Sequence, residues 1–80
     1  MSNPFPSLDR RRMLRVLRSL GYEEVRRRGS HCRLEAEGRP SLTFAFHDGV
    51  SLAPGVVRDI LVKQVGLDVD EALKVVNGDD

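Results

Sequence analysis

The chain has 80 residues, 40% of them hydrophobic and 31% charged, which fits one small folded domain and excludes a disordered chain. Its net charge of +1 hides a division: residues 1–39 carry ten arginines against five acids, and residues 40–80 carry three basic residues against seven acids, a segregation that suggests a basic face for an anionic partner. The single cysteine excludes an intramolecular disulfide framework and a cysteine zinc site, and neither a leader pattern nor a long apolar run is present, so the expected location is the cytoplasm.

Residues 1–7 hold two prolines and no periodicity, and are expected to be a frayed lead. Ser7 is the expected N-cap of a helix over residues 8–20, with Asp9 near the positive end of its dipole. Met13, Val16, Leu17 and Leu20 recur at helical spacing, Arg11, Arg15 and Arg18 share the opposite stripe, and Gly21 is the expected C′ residue. Three strands follow, over 22–28, 31–37 and 41–47. Pro54 then stands where a first helical residue should be, and Val57, Ile60, Leu61 and Val65 form an apolar stripe that ends at Gly66. Asp68 to Glu71 reads as a capping box for a short last helix carrying Ala72, Leu73 and Val76, stopped by Asn77-Gly78. The order is α-β-β-β-α-α, an α+β two-layer sandwich with a three-stranded antiparallel sheet and helices on one face. One domain over 8–76 is expected, with a tail over 77–80.

The most informative stretch is the first hairpin, where Arg26-Arg27-Arg28 runs into Gly29-Ser30 and then His31. Glycine at the first central position of a two-residue loop is the requirement of a type II′ turn. That loop sets Arg28 opposite His31, Arg26 opposite Arg33 and Val25 opposite Leu34. Because side chains alternate along a strand, Val25, Cys32, Leu34 and Ala36 should share the covered face, and Arg26, Arg28, His31 and Arg33 the other. The third strand must also turn Leu42, Phe44 and Phe46 to the core. A five-residue loop over 37–41 meets that demand and puts His31 across from His47, with Cβ atoms about 5 Å apart. A slip of two residues would set His47 opposite Arg33 instead.

A histidine beside a turn can act as general acid or base near neutral pH. Neighbouring guanidinium groups can hold a phosphodiester and offset charge developing on its oxygens. His31 is thus the candidate catalytic residue for metal-independent RNA cleavage, with Arg26, Arg28, Arg33, Arg11 and Arg15 as candidate RNA contacts. Ser30 and His47 are auxiliary candidates and Gly29 forms the turn. Each also has a plain structural explanation, as an exposed strand, turn or helix residue. Cys32 faces the core, where a thiol behaves as a small hydrophobe. Two histidines without a clustered carboxylate or thiol are too few for a metal site, and no cofactor motif is present.

The Gly29-Ser30-His31 turn after a basic strand resembles the signature of the HicA (YcfA-like) toxins, mRNA interferases of toxin–antitoxin systems. Residues 55–67 (Gly-Val-Val-Arg-Asp-Ile-Leu-Val-Lys-Gln-Val-Gly-Leu) are similar to that family's closing helix, and Leu20-Gly21-Tyr22 to the exit of its opening helix. Together these cover about residues 8–76. The resemblance implies a double-stranded-RNA-binding-domain-like fold, mRNA cleavage with His31 as the catalytic histidine, and neutralisation by a HicB-type antitoxin protein. Cys32 stands where the family often has a second histidine, and Val56 where a threonine is usual. Two other readings stay open on the residues themselves: a non-catalytic RNA-binding module of the same fold, and a domain whose arginine face docks an acidic protein.

Overall fold

The computed structural model describes residues 4–45 and 49–78, without the side chain of Phe44. Helix α1 covers Arg10–Ser19, strands β1, β2 and β3 cover Glu23–Arg28, His31–Ala36 and Arg39–Ala45, α2 covers Pro54–Arg58 with a π-helical continuation over Asp59–Gln64, and α3 covers Val69–Val76. The strands form one antiparallel sheet in the order β1-β2-β3. Cys32, Leu34 and Leu42 share one core with Met13, Leu17, Ile60, Leu61 and Ala72, while His31, Arg33, Glu35, Ser41 and Thr43 are exposed. One face of the sheet is therefore covered and the other open, the expected α+β two-layer arrangement. Among the described residues no helix is long and apolar enough to cross a membrane.

Helix α1 begins two residues later than its apolar spacing and Ser7 suggest. Leu8 pairs with Leu52 in an isolated bridge, its N–H on the Leu52 carbonyl at 3.2 Å and the reverse bond at 2.7 Å, which holds Leu8 extended. Asp9, not Ser7, is consequently the N-cap, and its carboxylate accepts from the Arg12 N–H at 2.8 Å. The lead is also better anchored than expected, since Phe5 is 3% exposed and belongs to the core. At the other end Gly21 takes φ +97°, the Gly21 N–H reaches the Arg18 carbonyl and the Tyr22 N–H reaches that of Leu17, both at 3.0 Å. This is the Schellman closure expected of a C′ glycine. It delivers Tyr22 into the core, where its hydroxyl donates to the Pro40 carbonyl at 2.7 Å.

Both hairpins depart from strict alternation at one point each. In β1, Glu24 pairs with Leu34 and Arg26 with Arg33, so Val25 is a bulge residue and 51% exposed. The expected Val25–Leu34 pair is thus corrected to Glu24–Leu34. In the second hairpin Ala36 pairs with Arg39 and Leu34 with Leu42, leaving a two-residue loop (Glu37-Gly38) rather than the expected five. Gly38 alone has positive φ in that loop, so the turn lacks the twist of a primed type and the strands need an adjustment. The extra residue falls at Pro40-Ser41, where proline's missing N–H costs no ladder bond. As a result β3 begins at Arg39 instead of residue 41 and is described as far as Ala45, Phe46 and His47 lying outside the described residues, and Ala45, not His47, lies opposite His31. Thr43 lies opposite Arg33, which also removes the slipped alternative for His47.

Pro54 opens α2 and Val57, Ile60, Leu61 and Val65 are all buried, as their spacing predicts. The helix is not uniformly α, however. The Val65 N–H bonds the Ile60 carbonyl at 2.9 Å, an i to i−5 closure that stacks these two apolar residues, five apart, on the same side. In α3 the Asp68 carboxylate accepts from the Glu71 N–H at 2.8 Å. That bond holds the Asp68 carboxyl below its usual range.

Candidate functional site

The first hairpin closes as its residues demand. Gly29 has φ +60°, and no described non-glycine residue has positive φ, which is the type II′ pattern with Ser30 second. From there the register is Arg28 opposite His31, Arg27 opposite Cys32 and Arg26 opposite Arg33. Cys32 points to the core at 2% exposure, so its neighbours His31 and Arg33, with Arg28 and Arg26 across from them, share the open face. Thr43 and Ala45 of β3 complete this surface by their pairing with Arg33 and His31. Adjacent strands lie about 4.8 Å apart, so the imidazole and the Arg28 guanidinium are within reach of one small anion.

The electrostatics of the face are uneven. Arg33 Nε donates to Glu35 Oε2 at 3.2 Å, both side chains being about half exposed (48% and 49%). An exposed pair of this kind adds little to stability, but it occupies one N–H of that guanidinium. Among the described residues no ion pair engages Arg26 or Arg28. Ser30 sits in the turn, half-buried, beside His31. His47 lies outside the described residues. No group of three His, Cys, Asp or Glu side chains able to hold a metal occurs among the described residues.

Cys32 and Glu24 form a second, covered feature beneath the same strands. The Sγ–H donates to Glu24 Oε2 at 2.9 Å. Burial, the hydrogen bond and the nearby carboxylate push the thiol up to about 11, against weaker opposing pulls from Arg10 and Arg27. A thiol held protonated in this way is a poor nucleophile, which agrees with its core assignment.

The structure does not gather all of the expected RNA contacts. Arg26, Arg28 and Arg33 join His31, whereas Arg11 and Arg15 belong to the helical layer. Arg15 lines a groove between α1 and α3 with Arg12, Val16 and Val75. Arg11 lines a separate cleft with Arg10, Leu14 and Arg27. Arg27 was missed from the sequence. The signal that could have found it is its register partner: a residue opposite the core-facing Cys32 must point to the helical side.

These features define a small α+β domain whose open sheet face carries a histidine and three arginines around a tight turn. The family model described as "HicA toxin of bacterial toxin-antitoxin" matches residues 10–67, a span that contains α1, the whole sheet, α2 and its π-helical continuation. The chain belongs to this HicA toxin family. No curated protein and no solved structure matched it.

Proposed function

We propose that this chain is the toxin of a toxin–antitoxin pair and that it cleaves mRNA without a metal, with His31 as the proton-transferring group. The observation that carries the reading is the exposed His31 beside a type II′ turn, with Arg28 directly across and Arg26 on the same face, inside the segment that matches the family. In the proposed reaction the imidazole takes the proton of a ribose 2′-hydroxyl. The 2′-oxygen then attacks the adjacent phosphorus, the bond to the 5′-oxygen breaks, and that oxygen leaves with a proton given by a second carrier or by water, while the imidazolium returns its own proton to solvent. The products are a 2′,3′-cyclic phosphate and a 5′-hydroxyl. Arg28 and Arg26 hold the non-bridging oxygens and offset the charge that grows on them. Arg33 can join them through the guanidinium N–H groups that Glu35 leaves open, since the pair engages only its Nε. Ser30 and His47 are the auxiliary candidates, as donors to the phosphate or as second proton carrier.

Family membership also supports a protein partner, a HicB-type antitoxin, and action on mRNA in the cytoplasm. The deciding experiment incubates wild type and His31→Ala with a long RNA in EDTA. Cleavage by wild type alone is expected. Cleavage by both removes His31 from the chemistry, and a strict metal requirement overturns the mechanism. If both chains shift RNA and neither shortens it, the domain is a non-catalytic RNA-binding module.

A further inference from the structure

The three arginines of β1 do not all serve the open face. Arg26 and Arg28 pair with Arg33 and His31, but Arg27 pairs with Cys32 and so emerges on the helical side of the edge strand. There it enters a cleft of about 680 Å³ with Asp9, Arg10, Arg11, Leu14 and residues 49–51, a size within the range of about 300–1,000 Å³ typical of ligand sites. Arg11 and Arg27 bring two guanidinium groups to this cleft beside the Asp9 carboxylate, whose Oδ1 accepts from the Arg12 N–H as the α1 cap, while the Glu24 carboxylate lies deeper, on the Cys32 thiol. β1 is an edge strand, so nothing in the sheet stands between the cationic open face and this second cationic site. The two are separated by the width of one strand.

We propose that a single strand of RNA wraps over the β1 edge, with its scissile phosphate at His31 on the open face and flanking phosphates held by Arg27 and Arg11 in the cleft on the other side. This rests on the reading of the chain as an RNA-cleaving toxin and adds the path of the substrate. A single strand suits the geometry because its backbone can turn sharply, whereas a double helix is stiff over about 150 base pairs in the case of DNA. Guanidinium groups in a groove that follows a backbone are a sequence-tolerant way of holding such a strand.

The test uses His31→Ala as an uncleaving background and a short, unstructured oligouridylate as the probe, with affinity measured over a salt series. Each phosphate contact in a single strand contributes about 0.7 to the slope of log K against log salt. Arg11→Gln with Arg27→Gln should therefore flatten that slope by about 1.4 and weaken binding at low salt. An unchanged slope overturns the proposal. Arg11→Lys with Arg27→Lys keeps the charge and should keep most of the slope; equal loss in the lysine variant makes the effect structural and overturns it too. A blunt RNA duplex should show little change between background and variant, and a loss as large as for the single strand overturns the wrapped path. If instead the glutamine variant binds RNA normally but loses a poly-glutamate peptide, the cleft serves an acidic protein segment and the proposal is wrong. Wild-type cleavage in EDTA is a separate readout, so failure of the nuclease reading and failure of the cleft are told apart.

Discussion

On the covered face of the sheet Cys32, Leu34 and Leu42 are 2%, 0% and 0% exposed, while one position along each strand His31, Arg33 and Thr43 stand in solvent. The same backbone thus carries two surfaces under different constraints. A fully buried leucine contributes about 1.5–3 kcal/mol relative to an exposed one, and a domain of this size has little stability to spare. The open face contributes little to folding, and that leaves it able to concentrate positive charge around a histidine. Chemistry on one side and stability on the other should then respond to different substitutions.

The sharpest break in that comparison is His31→Ala. It should lower RNA cleavage by about 10²–10⁴-fold, the usual range for removing a proton-transfer group. Its melting curve should stay within about 0.5 kcal/mol of wild type. A chain that loses activity and stability together would mean that the open face also holds up the fold. Leu34→Ala is the converse test. Loss of a fully buried leucine should cost about 2–5 kcal/mol in urea unfolding, and any fall in cleavage should track the unfolded fraction. Tyr22→Phe comes next. It removes the hydroxyl on the Pro40 carbonyl and should cost about 1–2 kcal/mol, tying the β3 bulge to the core from the covered side.

A pH series separates the faces more gently. The buried Cys32 thiol is raised from 9.0 to about 11, and burial raises the Tyr22 hydroxyl as well. A group with a raised folded pKa stabilises fully below its unfolded value and loses that contribution as pH climbs through the folded one. Thermal melts should therefore be insensitive to Cys32 up to about pH 9 and decline from there to about 11. Cys32→Ala should show a shallower alkaline decline, with the Tyr22 part remaining. The smallest effect belongs to Val25→Ser. Strict alternation would make Val25 a core residue, but the bulge exposes it, so the substitution should shift stability by no more than about 0.5 kcal/mol. A cost above 1 kcal/mol in urea unfolding would return Val25 to the covered face.

Element order, the Schellman end of α1, the type II′ turn and the buried stripe of the closing helix were all legible, because each depends on neighbours within one turn of helix or one tight loop. Gly21, Gly29 and Pro54 are local constraints and acted locally. The Arg28–His31 and Arg26–Arg33 pairs were legible for the same reason, since a two-residue loop leaves no freedom in the first rungs. Legibility failed a few rungs further on. Nothing in the residues around Val25 marks an extra residue, and the Glu37-Gly38 turn was hidden because Arg39-Pro40 reads as loop when taken alone.

What this sequence determined by itself is the local chemistry: a glycine-led turn, arginines on alternate sides of a strand, a histidine at the next strand's first position, and a pattern that the HicA toxin family shares. Tertiary structure decided the rest. Covering helices chose which side of β2 became core, and with it which arginines stand beside His31. Two bulges set the far rungs, moving Glu24 to the Cys32 thiol and Ala45 to the place expected of His47. The packing of α1 beside the edge strand brought Arg11 and Arg27, sixteen positions apart in the numbering, into one cleft. Local signals fix conformations over a few residues, whereas register and face depend on which packing buries the most apolar surface across the whole chain.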